Sequence, residues 1–390
     1  MIFNALPGWL IGLFFAFTTP AWAEDIDTVS MDSVEISLLT CQPHDQVYSL
    51  YGHTAIRYHD MRKGGIDAAF NYGVFNYEAP LFALRFVFGL TDYELGAFPY
   101  KYFKLEYEYF GSMVTEQVLN MTNEEKMKLR LALAENMLPQ NKIYRYNFFY
   151  NNCTTKARDI IEQCIDGRVE YTVRPDYQPS YRDIVHDMTL QNPWSRCGND
   201  LLLGIKSDSK TTLRQQEFLP NNLMYDFDHA VIHHNGTTRP LVKERRIAVP
   251  AGVQMTESSF PLSPSACGLI VICLGFVLFV IEYRKRRSFI IWDITLMVVT
   301  ASIGTVLFLM LFSQHPTVSM NLQLILFNPL PWFFLRPAIK GRKNHYWTIA
   351  LILYLLFVVG SWFQHYAEGI QYLALCLLLQ SYIHTVRIKK

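Results

Sequence analysis

The chain lacks any excess of charge of one sign. Its 35 Lys and Arg balance 34 Asp and Glu, a formal net charge of +1, which excludes a partner gathered mainly by electrostatics, nucleic acid above all. None of its seven cysteines stands two to four residues from another, so a zinc site built on paired cysteines is excluded as well. Neither an internal repeat nor a long low-complexity tract is present. The first segment, "MIFNALPGWLIGLFFAFTTPAWAEDI", has no Lys or Arg ahead of its apolar core.

What is abundant is apolar surface. Hydrophobic residues make up 51% of the 390 positions, and mean hydropathy is +0.09. The excess is concentrated at the N-terminus and after about residue 265. Leu10–Phe17 is too short to span a bilayer comfortably. Ala21-Trp22-Ala23 is a small-x-small cleavage pattern, so residues 1–23 read as a secretory signal. The missing basic residue leaves an uncleaved anchor as the alternative. Either way, the residues that follow are exported.

Residues 24–245 read as a folded domain of mixed charge. Residues 246–265, with Pro and Ser and no periodicity, read as a linker. Residues 266–390 read as a helical transmembrane domain with apolar runs at Cys267–Ile281, Phe289–Phe312, Leu322–Leu335, Trp347–Phe363 and Ile370–Val386. Basic residues follow the first run (Arg284 to Arg287), the third (Arg336, Lys340, Arg342, Lys343) and the fifth (Arg387, Lys389, Lys390), while the other two loops have none. The positive-inside rule then places the C-terminus in the cytoplasm and the folded domain in the periplasm. The third run is interrupted by "NPLP", Asn328–Pro331, so five spans are expected, with four as the alternative.

Cys267, Cys273 and Cys376 fall in membrane runs, where cysteine acts as a small hydrophobe. Cys41, Cys153, Cys164 and Cys197 fall in the exported domain, where disulfides are permitted. Cys153 is set apart by its surroundings, "FFYNNCTTKARDIIEQC". Apolar Ile160, Ile161 and Ile165 follow it at helical spacing, which puts the thiol at a helix N-terminus, where N–H groups and the dipole favour thiolate. Asn152 or Thr154 is the expected cap, and Lys156 adds positive charge nearby. A disulfide or a buried core thiol is the plainer reading of one such cysteine.

A second stretch changes that balance. In "DQVYSLYGHTAIRYHD", alternation after Gly52 reads as a strand that starts at His53. "DAAFNYGVFNY", from Asp67, reads as its hairpin partner across "MRKGG". Asn71 on that strand is positioned to orient the imidazole, as a third group does in Cys-His sites. Asp67 and His59 compete for this role. Cys153, His53 and Asn71 are the candidate catalytic residues; no cofactor or metal is expected. The dense aromatics Tyr100–Phe110 read as half-buried packing, with a lipid-facing surface as the other possibility. Arg196–Asp208 reads as an ordinary packed helix rather than a cover over the site or a membrane-resting segment. Ser313–Asn321, with His315, reads as an exported interfacial loop; His315 facing the domain to receive a lipid headgroup is the sharper alternative.

The order of strand-borne His, strand-borne polar residue and helix-borne Cys resembles the circularly permuted papain-like enzymes, the NlpC/P60 and lecithin:retinol acyltransferase class. More closely, "LLTCQPHDQVYSLYGHTAIR", "FNYGVF", "YRYNFFYNNCTTKARDII" and "FSQHPTVSMNLQLILFNPL" resemble the Lnb family of Bacteroidota. That resemblance implies an α+β, permuted papain-like periplasmic domain followed by the helical membrane domain, in the bacterial inner membrane. It implies an apolipoprotein N-acyltransferase, with a phospholipid as acyl donor and a diacylated lipoprotein as acceptor, and carries catalytic roles onto His53 and Cys153. Two other classes remain open. One is a membrane-tethered cysteine peptidase or amidase; the other is a non-enzymatic exported assembly factor with structural disulfides.

Overall fold

The computed structural model describes residues 30–44, 49–75, 80–254, 260–340 and 345–387; the signal expected over residues 1–23 lies outside them. The two alternating stretches around "MRKGG" pair as the expected hairpin. β2 (His53–Asp60) follows β1 (Val34–Cys41), and β3 (Asp67–Val74) returns beside β2 with Ile56 opposite Phe70 and His59 opposite Asp67. The connection needs its glycines: Gly64 has φ +79°, and a Cβ on Gly65 would stand 2.3 Å from the Asp60 carbonyl oxygen.

Around the hairpin grows an antiparallel sheet in the order β10-β5-β1-β2-β3-β4-β6. Its further strands are β4 (Asp92–Pro99), β5 (Val114–Leu119), β6 (Ile143–Arg145) and β10 (Val242–Val249). A smaller sheet joins β7 (Arg168–Glu170), β8 (Val231–His234) and β9 (Thr237–Pro240). The helices of this domain are α1 (Phe82–Val87), α2 (Tyr100–Tyr109), α3 (Asn123–Asn136), α4 (Cys153–Cys164), α5 (Tyr181–Met188), α6 (Pro193–Leu202), α7 (Leu213–Gln216) and α8 (Pro220–Asp228).

Because side chains alternate along a strand, the sheet has two apolar faces. Ile36, Leu38, Ile56, Tyr58 and Phe70 face α4, which buries Ala157, Ile160 and Ile161 against them. Leu39, Cys41, Ala55 and Ala69 face the opposite way, against Tyr100, Phe103 and Tyr107 of α2. Each such large side chain contributes roughly 1.5–3 kcal/mol on burial. The Tyr100–Phe110 stretch is thus a helix with its i, i+3, i+7 stripe buried, while Tyr102, Leu105 and Tyr109 are exposed.

The linker expectation needs correction at its start. Residues 246–249 belong to β10, which pairs with β5 up to Val249 opposite Val114. The strand was hidden by Lys243-Glu244-Arg245-Arg246, a run of charges suited to a sheet edge. Arg246 is held there by Glu116 and Glu35, each at 2.9 Å.

The C-terminal region is helical: α9 (Pro264–Lys285), α10 (Ile290–Met310), α11 (Pro331–Ile339), α12 (Tyr346–Gly360) and α13 (Ile370–Tyr382). α9 and α10, of 22 and 21 residues, have the length and apolar character to cross a bilayer. The third apolar run does not form one helix. It is a 3-10 turn at Leu322–Ile325, a break, then the nine residues of α11. The break lies flush on α10, where a Cβ on Gly304 would come within 2.3 Å of the Asn328 backbone.

Polar groups bind both ends of this bundle. At one end, Gln380 donates to Glu282 at 3.0 Å and to Asp293 at 2.8 Å, and His384 meets Asp293 at 2.9 Å. This gathers the ends of α9 and α13 and the start of α10, so the basic groups after α9 and α13 converge. At the other end the loops grip the N-terminal domain. Gln323 donates to the Asp200 carbonyl at 2.7 Å, Gln364 to that of Leu203 at 3.0 Å, and Asn321 to that of Leu201 at 2.8 Å. Arg196–Asp208 is therefore packed between the two regions.

Candidate active site

Asn152 caps α4. Its side-chain oxygen accepts from the N–H groups of Thr154 at 3.0 Å and Thr155 at 2.9 Å, and Thr155 Oγ1 accepts from the Asn152 N–H in return. The Asn152 amide nitrogen donates to the Phe218 carbonyl at 2.8 Å, which locks the cap to the rest of the domain. Cys153 is thus the first residue of the helix. The cap uses the next two N–H groups, while the Cys153 N–H has no acceptor among the described residues. A free N–H beside a thiol is the donor that a developing oxyanion requires.

His53 reaches this place from the sheet. Gly52 turns the chain into β2 with φ +73°, and a Cβ there would lie 2.6 Å from the Cys41 carbonyl oxygen. β2 and α4 are stitched together next to the thiol by Thr54 Oγ1 and Thr154 Oγ1, 3.1 Å apart. Burial opposes ionisation of Cys153, but other influences outweigh it: the charge of His53, a weaker hydrogen-bonding contribution from the ring, the Thr54 N–H and the Thr154 hydroxyl. Together they bring the thiol down to about 7. Burial also opposes a charge on His53, yet the facing thiolate raises the ring above the usual imidazole range. Charge contributes more to this pairing than hydrogen bonding between ring and sulfur.

Asn71 stands beside the ring. The point where a Cβ of Gly73 would stand is 2.9 Å from His53 Cε1 and 3.0 Å from Asn71 Oδ1. His53 Nε2 and Asn71 Oδ1 are both buried without a hydrogen-bond partner among the described residues. The structure therefore brings His53, Cys153 and Asn71 together. It places the two competitors elsewhere: Asp67 and His59 face each other at the far end of the hairpin, and Asp67 is bound to Arg57 at 2.8 Å. Lys156 lies over the Tyr144 ring at 5.0 Å, so the positive charge that faces the thiol is that of His53.

Glu106 of α2 is a neighbour that the sequence reading missed. Its negative charge helps raise His53; crowding by the neighbouring protein pushes its own carboxyl up, although the residue is exposed. The helical stripe Tyr100-Phe103-Tyr107 would have placed Glu106 at the edge of the buried face. All seven cysteines are free. Cys153 and Cys164 sit at opposite ends of α4, about 16 Å apart at 1.5 Å per residue, and cannot be bridged. The disulfide-based, non-enzymatic reading loses its support. Burial pushes the Cys41 and Cys164 thiols up and Cys197 to about 11. Cys153 alone among these exported-domain thiols is lowered.

Residues 19–186 match the Lnb N-terminal periplasmic domain, and residues 255–390 match the Lnb transmembrane domain. The chain belongs to the Lnb family. It is a membrane protein whose N-terminal part is periplasmic, as the resemblance implied. No curated protein and no solved structure matches it. In this Lnb protein α1 of the mixed α+β periplasmic domain meets a loop of the helical region, with His315 of Ser313–Asn321 3.2 Å from the Phe86 carbonyl.

Proposed function

We propose that this Lnb protein is an apolipoprotein N-acyltransferase that works through a thioester on Cys153. The observation that carries the reading is a cysteine at the capped start of a helix whose lowered thiol faces the half-buried imidazole of His53, in a domain fastened to a membrane helix bundle. The Cys153 thiolate attacks the ester carbonyl of a phospholipid, and the oxyanion takes the free N–H of Cys153. As the C–O bond breaks, His53 gives its proton to the leaving alkoxide and a lysophospholipid departs. The α-amine of a diacylated lipoprotein cysteine then attacks the thioester. His53 takes a proton from that amine, the C–S bond breaks, and an amide and the thiolate result. Asn71 orients the ring.

The arrangement of β2, β3 and α4 supports a permuted papain-like assignment for the domain. Convergence of the basic helix ends opposite the periplasmic contacts supports a multi-pass inner-membrane protein with its C-terminus in the cytoplasm. Counting the interrupted third run as a crossing gives five spans, and leaving it out gives four. Substrates anchored in lipid give a reason for joining a catalytic domain to such a bundle.

The test is intact-mass analysis of purified protein incubated with phospholipid alone, with N-terminal peptides of lipoproteins analysed by mass spectrometry in cells with and without it. A hydroxylamine-sensitive acyl adduct on Cys153, absent in Cys153→Ser, together with a third acyl chain that depends on the protein, is expected. Full transfer by Cys153→Ser would overturn the thioester route, and protein-dependent cleavage of cell-wall peptide instead would favour the amidase class.

A further inference from the structure

We propose that a ladder of stacked aromatic rings, running from the membrane-facing helix α1 to the Cys153 site, receives an acyl chain of a periplasmic-leaflet phospholipid and leads it to the thiol. The proposal rests on the acyl-transfer reading above and names the route of its donor.

The ladder starts at the site. Gly73 touches the His53 ring, and Phe75 follows two residues on. Phe75 stacks on Tyr93 with centroids 4.7 Å apart, and Tyr93 stacks on Tyr146 at 4.0 Å. Tyr146 belongs to the short loop before α4, closed by the Asn147–Asn151 bridge. In the other direction Phe75 stacks on Phe82 at 5.7 Å, Phe82 on Phe86 at 6.4 Å, and Phe86 meets His315 at 6.1 Å. The ladder's tyrosine end, Tyr146, lies close enough to feel the charge of Cys153, and the phenylalanines Phe82 and Phe86 form the opposite end. That gradient suits a lipid ester whose carbonyl end sits at the site and whose tail trails away.

The far end stands beside the end of α10. Gln314 donates its N–H to the Phe88 carbonyl at 3.0 Å, and Gly89, with φ +67°, lets the chain approach Gln314 and His315. These residues follow directly on α10, whose last helical residue is Met310. α1 is therefore pinned to the mouth of a membrane-crossing helix. There it exposes Leu81 (72%), Leu84 (45%) and Phe86 (41%). Its one basic residue, Arg85, is turned to Asp92 at 3.1 Å and to the Leu90 carbonyl. An apolar face set at the level of a helix end is suited to lipid, since water offers it nothing. Continuity with the membrane bundle selects bulk phospholipid as the occupant.

The test uses full-length protein in nanodiscs that contain phosphatidylethanolamine with a diazirine at the end of one acyl chain. After irradiation, peptide mapping is expected to find lipid adducts on the segments that carry Phe82, Phe86 and Tyr93. Adducts confined to α9–α13 would overturn the proposal. Phe82→Asp is expected to abolish the ladder adducts and slow acyl transfer by about ten-fold or more, with Phe82→Leu near wild type and iodoacetamide reaction at Cys153 unchanged in both. Unchanged labelling and transfer in Phe82→Asp would also overturn it. A labelled ladder in a protein that transfers no acyl chain would uphold the lipid path and remove the acyl-transfer reading instead.

Discussion

Gly73 touches His53 so closely that any side chain at position 73 would enter the space of the imidazole: its Cβ would lie 2.9 Å from Cε1 of the ring. Such a contact is shorter than carbon atoms tolerate, and the backbone of a central strand gives little. The ring is the part free to move. Gly73→Ala should therefore leave the fold intact, with a circular dichroism spectrum like that of wild type, and displace the imidazole from the thiol. Alkylation of Cys153 at neutral pH should slow by about ten-fold, one pK unit of lost thiolate stabilisation. Wild-type alkylation in a folded Gly73→Ala protein would show that the ring does not govern the thiol.

The pH dependence follows from the same pair. Below about 7, Cys153 takes up a proton and the nucleophile is lost; above it the thiolate persists. Initial rates of iodoacetamide reaction should rise with pH through a midpoint near 7. In His53→Ala the charge that offsets burial is gone, so the midpoint should move upward to at least about 8.5, the value of a free thiol. A midpoint unmoved by His53→Ala would assign the stabilisation to the helix terminus instead.

Part of this site is legible in the sequence because it is local. "GHTAIR" places a histidine at a strand start, and "NNCTTKARDII" places a cysteine behind an asparagine cap; each follows from a handful of neighbouring residues. The linkage of one to the other is not local. It depends on the Thr54–Thr154 contact between residues 100 positions apart, which no periodicity encodes. Other parts were hidden by competing signals. β10 carries four successive charges and so does not alternate. Glu106 is exposed on α2, and its effect on His53 emerges only once α2 is folded against the sheet. The grip of Gln323 and Gln364 on α6 depends on side chain to backbone bonds, and these leave no mark on composition.

Asn71 and Glu106 both adjoin His53, and their roles separate by substitution. Negative charge at Glu106 favours the protonated ring, so Glu106→Gln should lower the His53 pKa and narrow the alkaline limb of the transfer profile, with the fold unchanged. Asn71→Ala removes a neutral group. It should reduce transfer at every pH through poorer ring orientation, and less severely than His53→Ala. Histidine NMR titration together with pH–rate profiles distinguishes the two. A parallel drop at all pH values in Glu106→Gln, or a shifted limb in Asn71→Ala, would exchange their roles.

The periplasmic domain transmits its position to the membrane bundle through a buried charge cluster, and Arg182 is its centre. The guanidinium, 2% exposed, bonds Asp200 at 2.7 Å and Asp208 at 2.8 Å. Asp200 also receives His186 at 2.8 Å, and its carbonyl accepts from Gln323, while Asp208 reaches His365 at 3.0 Å. Arg182→Met keeps the volume but strands buried Asp200 without its cation, a loss of about 3–5 kcal/mol. Because the Asp200 carbonyl and the Asp208 carboxylate meet the bundle loops, the damage should appear first at the junction, as faster protease cleavage near Leu201–Asp208, with Cys153 alkylation little changed. Adding Asp200→Asn removes the stranded charge and should recover a large part of the lost thermal stability. Equal instability in the single and double variants would mean that Arg182 acts by packing and not by charge.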